Sequence, residues 1–187
     1  MNVAPVLPIV VPLLGALAAL AGRRWLAWQR GVGIVTSFLM VVVAGWLLAR
    51  VWSGGVPLVL HTGGWAAPFG ITLVVDLLAA LMLLVSAVLA TAVAVYACGD
   101  LEAERFRFGF VPLTLIMMMG VNGAFLAGDI FNLYVWFEVL LSASFVLLAL
   151  GGERRQMEGS VKYVTLNLIS SALFLAGVGL LYGMAGT

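Results

Sequence analysis

Residues 1–22 carry no charged side chain, and five further stretches of similar character follow along the chain. An apolar run of about 20 residues, rising about 1.5 Å per residue, crosses the roughly 30 Å hydrocarbon core of a bilayer as a helix. The runs lie at roughly 4–22, 32–50, 72–97, 108–127, 130–150 and 161–183. They lack the polar/apolar alternation of a membrane barrel. Lone strands would leave backbone groups unpaired in lipid. The expected fold is therefore all-α: a polytopic membrane protein with six transmembrane helices, forming a single transmembrane domain over 1–187. Composition agrees, with 64% hydrophobic and 9% charged residues and a mean hydropathy of +1.20.

The same composition excludes several kinds of function. A formal net charge of +1 leaves no basic surface for nucleic acid. Cys98 is the single cysteine, so no intramolecular disulfide can form. No His/Cys cluster, glycine-rich phosphate loop or Ser/His/Asp arrangement is present. No catalytic, metal or cofactor-binding residues are therefore expected, and the chain reads as a non-enzyme. Function must come from polar groups inside the membrane.

Arginines assign the sides of the membrane. Arg23, Arg24, Arg30, Arg105, Arg107, Arg154 and Arg155 follow the first, third and fifth runs, whereas Arg50 alone lies on the other side. The regions 23–31, 98–107 and 151–160 should face the cytoplasm, with both termini outside. A cleaved signal peptide would put positive charge ahead of its apolar core; here the charge follows it. The longest connection, 51–71, is then external. It contains "VPLVLHT", which can form a short strand, and is punctuated by Gly54-Gly55, Gly63-Gly64 and Pro68. Trp52 and Trp65 suit the interface. His61 reads as an exposed loop residue.

Glu138 stands inside the fifth run, about 12 Å along a helix that starts near Ile130. A carboxylate at that depth is costly unless it faces protein, water or a cation. Burial in a low-dielectric medium makes a carboxyl group hold its proton more tightly, and a carboxyl that exchanges protons near neutral pH can act as a relay. The plainer alternative is a structural glutamate, protonated or bonded to a neighbouring helix. Tyr134 and Ser142, at i−4 and i+4, share its face and could support it.

Lys162, the only lysine, opens the sixth run. It suits either snorkelling to the interface or, with Thr165, Asn167, Ser170 and Ser171, a place on a polar path. Asp129 caps the start of the fifth helix. Asp76 sits near the outer start of the third, expected about a turn deeper. Asn122 should bond across helices.

The stretch "GVNGAFLAGDIFNLYVWFEVLLSASFVLLAL", with "GGWAAPFGITLVVD" and "VKYVTLNLISSALFLAGVGLLYG", resembles the D-type subunits of Mrp-type multisubunit sodium/proton antiporters over nearly the whole chain. That family is related to antiporter-like subunits of respiratory complex I and membrane-bound hydrogenases. The resemblance implies the N-terminal part of a larger antiporter-like fold, in which Glu138 matches a fifth-helix glutamate working in proton translocation. The family pairs that glutamate with a seventh-helix lysine. The sequence ends at Thr187 before any such helix, and Lys162 lies on the sixth. The implied function is a proton-translocating subunit of a monovalent cation/proton antiporter. Implied partners are other membrane subunits, protons, Na+ and the lipid of a prokaryotic cell membrane. The alternative is a proton-pumping subunit of a hydrogenase or NADH:quinone oxidoreductase complex; a third reading is a structural membrane module.

The arginine distribution generates a direct test. A cysteine placed at Arg154 should react with a membrane-impermeant thiol reagent from the cytoplasmic side and stay unlabelled from outside.

Overall fold

The computed structural model describes residues 3–64 and 70–185. A short 3-10 turn (Ala4–Val6) leads into α1 (Leu7–Ala21), followed by α2 (Leu26–Gly54). The strands β1 (Leu58–His61) and β2 (Thr72–Val75) pair antiparallel, with Leu58 opposite Val75 and His61 opposite Thr72. Then come α3 (Leu77–Asp100), a short α4 (Ala103–Arg107), α5 (Phe110–Leu126), α6 (Ile130–Ala149) and α7 (Arg154–Ala185). Trp65 and Pro68, expected to anchor and punctuate the outer loop, lie outside the described residues.

Three expected boundaries are corrected. The third run does not begin as a helix: its first residues form β2. Thr72, Val74 and Val75 are β-branched and fit a pleated, half-buried strand. Asp76 is consequently not a turn deep. It is the exposed N-cap of α3, and its Oδ1 accepts from the Ala79 amide at 2.7 Å. The second and sixth runs are longer than expected, 29 residues in α2 and 32 in α7, so Arg30, Arg154 and Arg155 stand within helices rather than in loops. Arginine is a good helix former, and its long side chain reaches water from a helix end. Gly151 and Gly152, both at positive φ, make the turn between α6 and α7.

Among the described residues, five helices are long and apolar enough to cross a membrane, while α5 is a shorter apolar helix of 17 residues. They pack through small side chains. Ala16, Ala19, Ala44, Ala80, Ala87 and Ala90 are all buried. A Cβ added at Gly15 would sit 2.5 Å from the Thr36 side chain, joining α1 to α2. A Cβ at Gly120 would lie 2.7 Å from the Leu140 backbone nitrogen, and one at Gly123 would overlap the Trp136 ring. These glycines let α5 and α6 approach closely. In lipid such packing, rather than transfer from water, is what holds helices together.

One polar contact ties the first helices to α5. Pro12 has no N–H, so the Pro8 carbonyl four residues earlier has no intrahelical donor. Asn122, 2% exposed, supplies one: its Nδ2 donates to the Pro8 oxygen at 2.8 Å. Ser86 of α3 lies 3.5 Å from Asn122 Oδ1. The amide expected to bond across helices thus repairs a gap that proline makes.

Replacing Asn122 with Leu should cost about 1–2 kcal/mol of stability, because the Pro8 carbonyl is left unpaired in an apolar interior. Adding Pro12→Ala restores an intrahelical donor. The double variant should therefore lose less than the two single losses summed, read by denaturant unfolding of the detergent-solubilised protein.

Candidate functional site

The site begins at the α6 N-terminus. The Asp129 Oδ1 accepts from the Asn132 amide at 2.7 Å, fixing the first turn, and the carboxylate suits the positive end of the helix. Glu138 follows two turns later and is half-buried. On either side of it, Trp136 and Leu140 occupy the notches left by Gly123 and Gly120 of α5. The backbone around Glu138 is therefore held against α5.

From the other side, α7 brings Ser171, whose hydroxyl donates to Glu138 Oε1. A serine hydroxyl both donates and accepts, so it can stay bonded to a carboxyl group in either protonation state. Toward α5, Glu138 opens onto a groove of about 490 Å³ lined with Leu113, Ile116, Val135 and Ser142 among others. Glu138 and Ser142 line this groove together, with apolar walls around them.

The other expected participants stand elsewhere. Tyr134 stacks on Phe174 of α7 at 6.0 Å between ring centres and makes no hydrogen bond to Glu138. Lys162 is exposed and pairs with Glu158 one turn earlier on α7, at 2.7 Å. It lies nine residues from Ser171, about 13 Å along the helix axis. Asp76 and Asp129 are both N-caps on exposed helix starts. His61 is exposed and its Nδ1 lies 3.1 Å from Thr72 Oγ1 across the hairpin. Among the described residues, no cluster of three or more His, Cys, Asp or Glu could hold a metal ion.

Spacing alone does not single out Ser171 among the α7 hydroxyls. Thr165 bonds back to the Val161 carbonyl at 2.8 Å and Ser170 to Leu166 at 3.0 Å, whereas Ser171 crosses to α6. Only the interhelical geometry separates them.

Comparison with known proteins agrees with this architecture. Residues 127–187 match the family model described as NADH:quinone oxidoreductase/Mrp antiporter, TM. The fold is similar to a chain of the membrane-bound sulfane sulfur reductase, an archaeal respiratory membrane complex, with a TM-score of 0.91 and 32% identity over 98% of this chain and 38% of that one. It is similar also to a chain of the Mrp complex from Dietzia sp. DQ12-45-1b, with a TM-score of 0.88 and 33% identity over 100% of this chain and 36% of that one. These matches define a multi-pass, antiporter-like membrane protein of the kind shared by Mrp and respiratory complexes. The chain is 40% identical to the D-type subunit of the Na(+)/H(+) antiporter of Bacillus subtilis (strain 168), and 37% identical to that of Alkalihalophilus pseudofirmus, across its full length. Over its whole length it is thus similar to D-type subunits of sodium/proton antiporters. It spans 38% of the length of each of these two relatives.

The Ser171 contact has a spectroscopic consequence. In a Ser171→Ala variant, the carboxyl band that disappears in Glu138→Gln should move to higher frequency in the infrared, because its carbonyl loses a hydrogen-bond donor. An unmoved band would mean that the two side chains do not touch.

Proposed function

We propose that this chain is a proton-translocating part of a multisubunit monovalent cation/proton antiporter, with Glu138 as the proton relay inside the membrane. The observation that carries the reading is the carboxyl group of Glu138, two turns into an apolar helix, bonded to a hydroxyl of the next helix and open to a groove. A group that costs several kcal/mol when charged in lipid is retained where it does work. Ser142 extends the polar edge of that groove. Lys162, paired with Glu158, marks the cytoplasmic approach, and Tyr134 walls the site through Phe174. Asp129 and Asp76 are assigned to the outer side as caps that fix α6 and α3.

Six membrane crossings support this reading better than five. The 17 residues of α5 rise about 25 Å, within the range of short spans. With six crossings, the arginine bias puts both described ends outside. The proposed setting is a prokaryotic cell membrane, beside other membrane subunits, with protons and Na+ as the transported ions. A place in a redox-driven pump is the lesser reading, because the relatives matched over the full chain are named as antiporter subunits.

The test uses the complete complex in everted membrane vesicles. Glu138→Ala and Glu138→Gln should each abolish cation-dependent proton movement while the complex still assembles. Lys162→Met should retain more activity than either. Wild-type antiport in both Glu138 variants would end the proposal.

A further inference from the structure

The outer hairpin takes no part in the relay proposed above, yet it grips the helix that carries Glu138. Strand β2 is fixed to the body of the protein: Leu73 and Val75 are buried with Leu47 and Val51 of α2, Leu83 of α3 and Leu126 of α5. Its free edge meets the junction between α5 and α6. The Gly128 amide donates to the Thr72 carbonyl at 2.9 Å, and Leu73 forms an antiparallel bridge with Ala127. Asn132 Nδ2 reaches the same Thr72 oxygen at 3.5 Å, from a side chain only 3% exposed. The junction thus joins the hairpin as a very short third strand.

Gly128 is needed for this approach. A Cβ there would lie 2.9 Å from the Thr72 carbonyl oxygen and 2.9 Å from Val74 Cγ2. Asn132 meanwhile gives its own amide to Asp129 at 2.7 Å, so one turn of α6 is bonded to both the cap and the strand. Glu138 lies six residues farther on, about 9 Å along the axis. Over that length a helix is rigid, so a shift at Asn132 is carried to Glu138.

We infer that strand β2 is the stop that sets the depth and rotation of Glu138, with Gly128 and Asn132 as positioning residues for proton transfer. This rests on the relay reading of Glu138. Small displacements matter there because the carboxyl group both bonds to Ser171 and lines the groove. A change of depth alters its access to each, and so alters how readily it exchanges its proton.

The complete complex in everted vesicles tests this through the pH profile of antiport. Gly128→Ala should move the profile by roughly half a pH unit or more, since that corresponds to under 1 kcal/mol between protonation states. The complex should remain at wild-type abundance. Val74→Ala in the same chain removes the Cγ2 contact and should bring the profile part of the way back, the contact with the Thr72 carbonyl oxygen remaining. Should Gly128→Ala fail to assemble, Asn132→Leu takes its place, with Asn132→Gln as the rescuing variant. A slower rate with an unmoved profile, or a shift that the second substitution does not relieve, overturns the inference. The Glu138→Gln arm separates the two readings. If it is inactive while the Gly128 and Asn132 variants keep the wild-type profile, only the positioning role falls. If it is fully active, the relay and the positioning role fall together.

Discussion

An unpaired carbonyl in an apolar interior has no water to turn to, and Pro12 creates one at Pro8. The Asn122 side chain closes that gap at 2.8 Å, and much of the bundle is arranged around the result. To deliver its amide, Asn122 must bring α5 against α1, beside Ser86 of α3. The opposite face of α5 then carries Gly120 and Gly123, three residues apart and so on one side of the helix. Those two positions receive Leu140 and Trp136 of α6. One helix therefore has two duties. It satisfies a proline-broken α1 on one side, and on the other it presents a small-residue surface that seats the helix of Glu138.

Many of the other polar groups within the helices are spent locally. Thr91, Thr114, Ser144 and Ser160 bond to carbonyls three or four residues back on their own helices, as do Thr165, Asn167 and Ser170 of α7. Such bonds remove a cost without drawing helices together. Among the described residues, and apart from the Trp28 indole of α2 donating to the Ala18 carbonyl of α1, side-chain bonds between membrane helices concentrate at Asn122, with Pro8 and Ser86, and at Glu138, with Ser171. The first joins neutral groups and serves the fold. The second contains an ionisable group, and the relatives matched by this chain are antiporter subunits.

Much of this is legible in the sequence because lipid leaves few alternatives. Apolar length marks the helices, and the arginines support a proposed orientation. The errors fall where two signals overlap. Residues 72–75 are as apolar as the helix that follows, so hydropathy merges them with it. Their β-branched character and the Asp76 cap are the discriminating marks. Arginine-bearing segments look like loops in the sequence, yet Arg30, Arg154 and Arg155 extend helices past the apolar limit. At the site, i±4 spacing puts Ser142 on the groove with Glu138. It does not reveal that Tyr134 stacks on Phe174, or that Ser171 is the partner. Those depend on how α7 crosses α6, which no periodicity within one helix encodes.

The magnitudes constrain what Ser171 can do in the proposed relay. A hydrogen bond to a charged group contributes about 1.5–3 kcal/mol. A bare charge at mid-membrane costs about 2.5–3.5 kcal/mol on the most lenient scale and several times that on others. One hydroxyl therefore orients the carboxyl group more than it neutralises it. In the proposed relay the balance has to come from another polar group or from water on the groove side, which Glu138 shares with Ser142. α6 is fixed to α5 by two glycine notches and to the hairpin at its outer end, so the helix that carries the acid is held from the side away from Ser171 as well as by the Ser171 bond itself. In the proposed relay that fixed backbone is what lets one hydroxyl set the direction of the carboxyl group.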